Sequence, residues 1–264
     1  MALRIESDPA AILARLDAVV AADPVRHTIV ATVAQDVRDG SAGWCAYDGA
    51  ATAARSSPAL PVTVTDGWSD LRELAGALAE LPDVRCLRGP VEVVDELLAR
   101  LGRPAVHTVD ERLFRCDEAV PPAGVPGRGR RATAADHELL ASWRPAFLVD
   151  VFGRVPPGTD LAAWPAQAVR SGTWLWQDAA GRVVSQAAAR TSLGGAVRIG
   201  GVYSPPQHRG RGYASAVTAA LTAEVLDRGE VPVLFTDLAN PTSNRIYQAI
   251  GYRAVEDGRS VWFE

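Results

Sequence analysis

The chain of 264 residues carries a formal net charge of −4, and 48% of its residues are hydrophobic, as in an ordinary globular protein. It contains no lysine, which excludes phosphate binding by a Walker-A lysine and catalysis through a Schiff-base lysine. The acidic balance and the scattered arginines argue against a nucleic-acid partner. No apolar run approaches the roughly 20 residues of a membrane helix, and the acidic N-terminus has no signal-peptide core. We therefore expect a soluble, cytoplasmic protein without a membrane partner.

The three cysteines, Cys45, Cys86 and Cys116, are widely spaced and form no C-x-x-C pair. An odd number at such distances fits neither a disulfide framework nor a zinc site. We interpret them as buried, reduced thiols, and we predict no metal.

The N-terminal half alternates helical and strand patterns. Apolar residues at helical spacing predict helices at residues 9–20, 24–37, 70–80 and 91–101, with Asp8 capping the first ahead of Pro9. Strands are predicted at residues 44–47, 50–54, 62–65, 84–88 and 105–116, and a tight turn at Asp48-Gly49 joins the first two. This half has no glycine-rich loop, catalytic triad or metal spacing. We predict a smaller, non-catalytic α+β domain over residues 1–119.

A change of composition marks the domain boundary. Residues 120–131, VPPAGVPGRGRR, contain three prolines, three glycines and three arginines between two periodic regions. Such a segment is typical of a solvated linker. The catalytic domain is then predicted to occupy residues 132–264.

The C-terminal half begins with helices and continues as a meander. Helices are predicted at residues 134–143, 145–152 and 161–170, with Thr133 and Asp136 as a cap, followed by strands at 173–177, 182–190 and 196–203. A helix at 213–226 and a buried strand at 231–238 complete a βαβ unit. A short helix capped by Asn240 or Thr242 ends at Ile250. We expect a final hairpin of residues 252–255 and 260–263 across Asp257-Gly258.

The segment VYSPPQHRGRGYA, residues 202–214, joins the two parts of the βαβ unit. Two prolines end the strand, and Gly210 and Gly212 let the backbone turn and approach a ligand closely. The helix behind them directs free N–H groups and a positive dipole end at an anion. This pattern predicts a phosphate-binding cradle.

Two nucleotide ligands fit such a cradle, a dinucleotide and coenzyme A. A dinucleotide site needs glycine directly after the strand and an acid about 20 residues further on, a role open to Asp237. Here six residues, 204–209, separate the strand from Gly210, and three antiparallel strands precede the motif. These two features favour coenzyme A.

Residues 207–214, QHRGRGYA, resemble the Q/R-x-x-G-x-G/A motif of the GNAT acyltransferases, and Asn244, Tyr247 and Gly251-Tyr252 resemble that family's last helix and strand. The order of elements from residue 130 to 264 is also similar to the GNAT fold. The resemblance implies an α+β protein whose C-terminal GNAT fold has a mixed, mostly antiparallel sheet flanked by helices. The chain is more closely similar to a bacterial GNAT subfamily that has an extra N-terminal domain, which itself resembles a degenerate half-GNAT. The residues that carry this second resemblance are chiefly Arg88-Gly89-Pro90 and the proline-rich linker.

The resemblance implies an acyl-CoA-dependent N-acyltransferase that transfers acetyl from acetyl-CoA to a primary amine of a small molecule. Backbone amides of residues 208–213 would hold the pyrophosphate, the strand end at Val202 and Ser204 would pair with the pantetheine arm, and the Val202 N–H would lie near the thioester oxygen. Tyr247 would protonate the departing thiolate, since a phenol with a pKa of about 10 stays protonated at neutral pH. The residues implied in coenzyme binding are Val202, Tyr203, Ser204, Gln207, His208, Arg209, Gly210, Arg211, Gly212, Tyr213, Ala214, Asn240 and Asn244.

The general base is left open among Asp150, Asp237 and a water relay, and Asp150 is the candidate that related enzymes suggest. All three cysteines precede the catalytic half, which favours direct attack in a ternary complex. The sequence does not distinguish a monomer from a homodimer. An alternative function is a non-catalytic GNAT-like module that senses acyl-CoA.

Overall fold

The N-terminal half folds into six strands and four helices. The computed structural model of the protein describes residues 3–156 and 158–263. The elements of this half are β1 (Arg4–Glu6), α1 (Pro9–Ala22), α2 (Thr28–Arg38), β2 (Trp44–Asp48), β3 (Ala51–Arg55), β4 (Val62–Val64), α3 (Leu71–Ala79), β5 (Cys86–Pro90), α4 (Val91–Leu101) and β6 (Ala105–Cys116).

The C-terminal half repeats the same succession. Its elements are β7 (Arg128–Arg131), α5 (His137–Phe152), α6 (Trp164–Arg170), β8 (Trp174–Gln177), β9 (Val183–Ala189), β10 (Ala196–Tyr203), α7 (Tyr213–Asp227), β11 (Val231–Asp237), α8 (Pro241–Ala249) and β12 (Tyr252–Phe263). Short 3-10 turns precede α5 and follow β10, at residues 134–136 and 206–208.

Local sequence signals predicted most of these elements. The bounds of α4 and β6 agree with the prediction, and the Asp8 carboxylate caps α1 by accepting a hydrogen bond of 2.9 Å from the Ala11 amide. Helix α2 begins four residues later than predicted, at Thr28. The reason is that the Asp23 carboxylate accepts hydrogen bonds from the amides of Val25 and Arg26 and so holds a turn ahead of the helix.

Two predicted boundaries in the C-terminal half are wrong. The helices expected at 134–143 and 145–152 are one helix, α5, which begins at His137 after a 3-10 turn and has Pro145 inside it. Buried Leu140, Trp143 and Leu148 hold both sides of the proline against the core, which offsets the hydrogen bond that proline cannot make. The last four residues assigned to the solvated linker form β7, which pairs antiparallel with β8.

The predicted hairpin at the C-terminus is also wrong, because residues 252–263 form the single strand β12. Asp257 and Gly258 lie within it, paired with Arg112 and Glu111 of β6, and Gly258 also pairs with Pro90 of β5. The register of β12 with β6 shifts at a bulge between Ala254 and Glu256. Pairing along both edges of the strand outweighs the local preference of Asp-Gly for a turn.

All twelve strands belong to one sheet, in the order β1-β2-β3-β4-β5-β12-β6-β11-β10-β9-β8-β7. The order shows that the two halves exchange their last strands. β6 lies between β12 and β11 of the C-terminal half, and β12 lies between β5 and β6 of the N-terminal half. Each exchanged strand therefore pairs only with strands of the other half, which joins the halves into one sheet.

The helices cover both faces of this sheet. Val197 and Ile199 of β10 pack against α7 on one face, whereas Arg198 between them contacts Thr32 of α2 on the other. Leu175 of β8 packs with Leu140 of α5, opposite the face that α7 covers. Helices α2 and α5 thus share one face. No helix among the described residues is both long and apolar enough to cross a bilayer.

We expect neither half to fold when it is produced alone as residues 1–119 or 120–264. β6 and β12 would each lose both neighbouring strands, and the free edges of β5 and β11 would be exposed. Circular dichroism and amide exchange would show little protected sheet in either half, and co-expression would restore it. A cooperative unfolding transition in one isolated half would contradict the interpretation.

A second expectation concerns the start of α5. The Asp136 carboxylate accepts hydrogen bonds from the Thr133 amide at 2.8 Å and from both Nη atoms of Arg130, which holds its pKa at about 2. The folded pKa lies below the unfolded value of about 3.9, so the ionised form stabilises the fold above about pH 4, and this is lost as the pH falls toward 2. Asp136→Asn should lower the free energy of unfolding by about 1–2 kcal/mol at neutral pH, and by less at pH 3.

Urea unfolding at the two pH values measures this difference. Asp117→Asn is the control, since it breaks an exposed ion pair with Arg115 and should cost less than about 0.5 kcal/mol. Equal losses for the two variants at neutral pH would argue against a special role for Asp136.

Candidate functional site

The strands β10 and β11 pair only at their beginnings and then separate. Ala196, Val197 and Arg198 face Val231, Pro232 and Val233 in parallel register. Beyond these three pairs, β10 stays bonded to β9, and β11 stays bonded to β6 as far as Asp237. The facing edges, residues 199–203 and 234–237, enclose a V-shaped gap. Their backbone groups are available to an extended ligand, as at any open strand edge.

A bulge shapes the β10 wall of the V. The register with β9 shifts between Gly200 and Tyr203, and Gly201 has a positive φ of 61°. Gln186 Nε2 donates to the Gly201 carbonyl at 3.2 Å, and Ser185 Oγ donates to the Tyr203 carbonyl at 3.1 Å. These side chains of β9 hold the bulge in place, so Val202 and Ser204 lie at a wall of fixed shape.

The cradle follows at the open end of the V. Gly210 and Gly212 have φ values of 73° and 78°, and Gly212 is the N-cap of α7 without a side chain to cap it. The first amides of α7 are therefore free to bind an anion. The amides of His208 and Arg209, included in the predicted pyrophosphate contacts, donate instead to Pro205 and Pro206 within the 3-10 turn.

The corresponding helix of the N-terminal half, α3, begins differently. Asp70 caps α3 by accepting a hydrogen bond of 2.8 Å from the Arg72 amide, so a carboxylate occupies the position that an anion would take. The loop before it, residues 65–70, has a single glycine, Gly67. The two halves share a topology, and the cradle belongs to the C-terminal half.

The predicted general base lies beside the cradle. Asp150 of α5 forms an ion pair with Arg209, whose Nε also donates to the Ser204 carbonyl at 3.0 Å. Arg211 is exposed and has no ion-pair partner among the residues described. The structure thus leaves one arginine of the cradle free and neutralises the other with Asp150.

The two asparagines predicted to bind the coenzyme form bonds within the protein. Asn240 caps α8 by accepting a hydrogen bond from the Ser243 amide at 3.0 Å. Asn244 Nδ2 donates to the carbonyls of Asp237 and Asn240 at 3.0 and 2.9 Å, and its Oδ1 accepts from the Thr236 hydroxyl. Both side chains tie the end of β11 to α8. Their role in coenzyme binding stays a prediction.

Tyr247 lies on α8, on the α7 side of the sheet. Its ring packs with Leu234 of β11 and stands edge-on to Tyr252 at 6.1 Å between ring centroids. Burial raises the pKa of its hydroxyl to about 12, so the phenol is protonated at neutral pH. Its hydroxyl has no hydrogen-bond partner in the described part of the chain. The residue has the protonation state of an acid and also the packing of a core aromatic.

Sequence reasoning missed the polar groups on the opposite face of the sheet. Arg88 of β5 bonds Glu111 of β6 at 2.9 Å and stacks over Phe235 of β11 at 4.7 Å. On β10, the side chain of Arg198 contacts Thr32 of α2. The signal for Arg198 was a single arginine in the otherwise apolar strand AVRIGGVY. Glu111 had no local signal, because only the exchanged strand brings it to this face.

Comparisons with known proteins fit this architecture. Residues 180–262 match the model of a family described as FR47-like protein. A search of curated protein sequences gives no significant match. An acetyltransferase from the GNAT family of Colwellia psychrerythraea superposes with a TM-score of 0.64 over 100% of both chains at 11% identity. A GCN5-related N-acetyltransferase of Sphaerobacter thermophilus gives a TM-score of 0.65, with 98% of this chain and 94% of that chain covered at 16% identity.

A tandem GNAT protein from the clavulanic acid biosynthesis pathway has the same two-part architecture. It gives a TM-score of 0.59 at 13% identity, with 100% of this chain and 98% of that chain covered. At such identities the structural likeness establishes the fold. What the site binds must be argued from the residues themselves.

The cradle can be tested with two matched glycines at opposite ends of α7. Gly210 and Gly229 have φ values of 73° and 75°, and a Cβ on either would meet no atom within 4 Å. Gly210→Asp and Gly229→Asp should therefore cost similar stability. Only Gly210→Asp places a carboxylate in the anion site, and it should weaken acetyl-CoA binding at least about 100-fold by calorimetry. Equal affinities in the two variants would disprove the cradle.

Proposed function

We propose that the chain is an acyl-CoA-dependent N-acyltransferase. The match of residues 180–262 to the FR47-like family model and the likeness of the fold to GNAT acetyltransferases support this proposal. In this proposal acetyl-CoA is the donor, a small-molecule amine is the acceptor, and transfer is direct. The observation that carries the proposal is the V between β10 and β11, which ends at the uncapped start of α7. An extended chain with a phosphate at one end matches this combination of open strand edges and free helix amides.

The donor would lie with its pyrophosphate on the amides that follow Gly210 and its pantetheine arm in the V. Arg211, which has no ion-pair partner in the described part of the chain, would add positive charge at the phosphates. Arg209 would also add positive charge there after leaving Asp150. Its ion pair with the carboxylate would then be replaced by an ion pair with a phosphate. The thioester would then reach the bulge, where backbone N–H groups such as that of Val202 stabilise the oxyanion.

Transfer of an acyl group from a thioester to an amine involves three events. A neutral amine attacks the thioester carbon, a base takes the amine's proton, and the departing thiolate gains a proton. Tyr247 supports the last step because its phenol is protonated at neutral pH. Asp150 and Asp237 remain candidate bases. The ion pair between Asp150 and Arg209 means that Asp150 would serve as a base after Arg209 has turned to the donor.

Direct transfer also agrees with the state of the cysteines. Burial raises the pKa of Cys45 to about 11 and that of Cys86 to about 12, and Cys116 Sγ donates to the Glu118 carbonyl at 3.1 Å. A thiol acts as a nucleophile through its thiolate, which is scarce at neutral pH in such surroundings. An acyl-cysteine intermediate is therefore disfavoured.

The test is release of free thiol from acetyl-CoA with a broad panel of small amines, together with mass spectrometry of the products. An acetylated amine would support the enzyme. Tight binding of acetyl-CoA with no acetylated amine in the panel would favour the alternative, a module that senses acyl-CoA.

Tyr247→Phe should lower kcat about 100-fold and leave the Kd for acetyl-CoA unchanged, because the ring still packs while the proton donor is lost. Tyr252→Phe is the matched control. It removes the bond of 2.7 Å between the Tyr252 and Thr222 hydroxyls, costs about 1 kcal/mol of stability and should leave kcat unchanged. If both variants retain full kcat, Tyr247 is a packing residue and not the acid.

A further inference from the structure

Three arginines that form no ion pair among the described residues lie near enough to repel one another on the sheet face that α2 and α5 share. They are Arg144 of α5, Arg190 at the end of β9 and Arg198 of β10. The Arg190 amide donates to the Arg198 carbonyl at 2.9 Å, so these two residues are neighbours across the strands. The guanidinium of Arg144 stacks over Trp164 at 3.9 Å. We call these residues the arginine cluster.

The cluster has unused hydrogen-bond donors as well as unpaired charge. Arg198 Nη1 and Arg144 Nε are buried and have no hydrogen-bond partner. The side chain of Arg198 makes a single hydrogen bond, from Nη2 to the Thr32 hydroxyl at 3.2 Å. None of the three forms an ion pair among the residues described. A buried guanidinium without a counter-ion is costly, and such groups in proteins are normally paired.

The nearest carboxylates are already bonded to other groups. Glu111 accepts from Arg88 and from the Ser260 hydroxyl, and Asp36 accepts from the Ser56 hydroxyl at 2.7 Å. Burial, followed by repulsion from Arg190 and Arg88, lowers the pKa of Arg198 to about 9, so the group is still charged at neutral pH. Arg198 therefore has no ion-pair partner among the residues that the structure describes.

The residues beside Arg198 on this sheet face are small. Along this face of β10, the residue after Arg198 is Gly200, and a Cβ built on Gly200 would meet no atom within 4 Å. Its partner on β9 is the small residue Ala188. The bulge that forms the wall of the V begins at Gly200. A small molecule over Gly200 would thus contact the arginine cluster on one side and the V on the other.

From this arrangement we infer that the arginine cluster binds a carboxylate of the acceptor, so that the acceptor is an amine that also bears a carboxylate, as a free amino acid does. The planar guanidinium donors match a carboxylate in geometry and in charge. Gly200 leaves the room for the acceptor's carbon skeleton, and the amine faces the V. This inference rests on the proposed function, since the V is taken as the place of the thioester.

The first experiment compares amines that differ only in the carboxylate. With saturating acetyl-CoA, kcat/KM is measured for glycine and glycinamide, L-alanine and L-alaninamide, and γ-aminobutyrate and butylamine. We expect the carboxylate member of at least one pair to be preferred at least about tenfold, the effect of one hydrogen bond to a charged group. Equal or higher kcat/KM for the uncharged member in every pair would overturn the inference.

Substitutions of single residues then test whether Arg198 causes the preference for a carboxylate. Arg198→Gln should remove the preference by lowering kcat/KM of the acid and leaving that of the uncharged amine unchanged. Because it removes an uncompensated buried charge, its Tm should equal or exceed that of the parent protein. Gly200→Val should block acids and uncharged amines alike, because its side chain would fill the space over Gly200 that the acceptor's carbon skeleton needs. Arg253→Gln is the control and should retain the preference, because Arg253 is an exposed residue of β12 that belongs neither to the V nor to the arginine cluster.

A binding measurement separates this inference from the proposed function. In the presence of coenzyme A, N-acetyl-L-alanine should raise the Tm of the parent protein and not that of Arg198→Gln, whereas N-acetyl-L-alaninamide should raise neither. This result would support the carboxylate site even if no amine were acetylated. A failure to acetylate any amine would contradict only the proposed enzymatic activity. Acetylation of amines without any role for Arg198 would contradict the carboxylate site alone.

Discussion

The pairing of β6 with β11 is the constraint on which the candidate site depends. It holds β11 straight over five residues, from Val233 to Asp237, while β10 bends away through its bulge toward β9. Without a neighbour on that side, β11 could close onto β10 and fill the V. Because β6 comes from the N-terminal half, the site in the C-terminal half needs the whole chain. The N-terminal half thus supports the β11 wall of the site through β6.

The two halves show how one topology acquires or lacks an anion site. Helices α3 and α7 occupy equivalent places, each crossing between two parallel strands. The Asp70 carboxylate accepts a hydrogen bond from the Arg72 amide of α3, whereas Gly212 at the start of α7 has no side chain to cap the helix. A carboxylate at the N-cap stabilises a helix and blocks an anion, and glycine has the opposite effects. The two halves therefore differ in how the first turns of these two helices are capped.

Sequence reasoning succeeded where the cause of a structure was local. Helical spacing and a proline at the start predicted α4 with its bounds, and a run of strand-forming residues predicted β6. The turn before α7 was also predictable, because proline and glycine favour turns, whereas phosphate binding at this turn stays a prediction. The hairpin at Asp257-Gly258 was wrong because the partners of β12 are about 150 residues away along the chain in β6 and β5. No local pattern records such a pairing.

The arginine cluster was beyond sequence reasoning for a similar reason. Arg190 and Arg198 become neighbours only through the register of β9 and β10, and Thr32 reaches Arg198 only because α2 packs across the boundary between the halves. An arginine in an apolar strand signals a buried charge, but its partner is a matter of tertiary structure. A protein that retains such a charge without a counter-ion gives up stability that an apolar side chain would restore. An anion from outside that completed an ion pair with Arg198 would recover that cost, which is why the inferred carboxylate site is energetically reasonable.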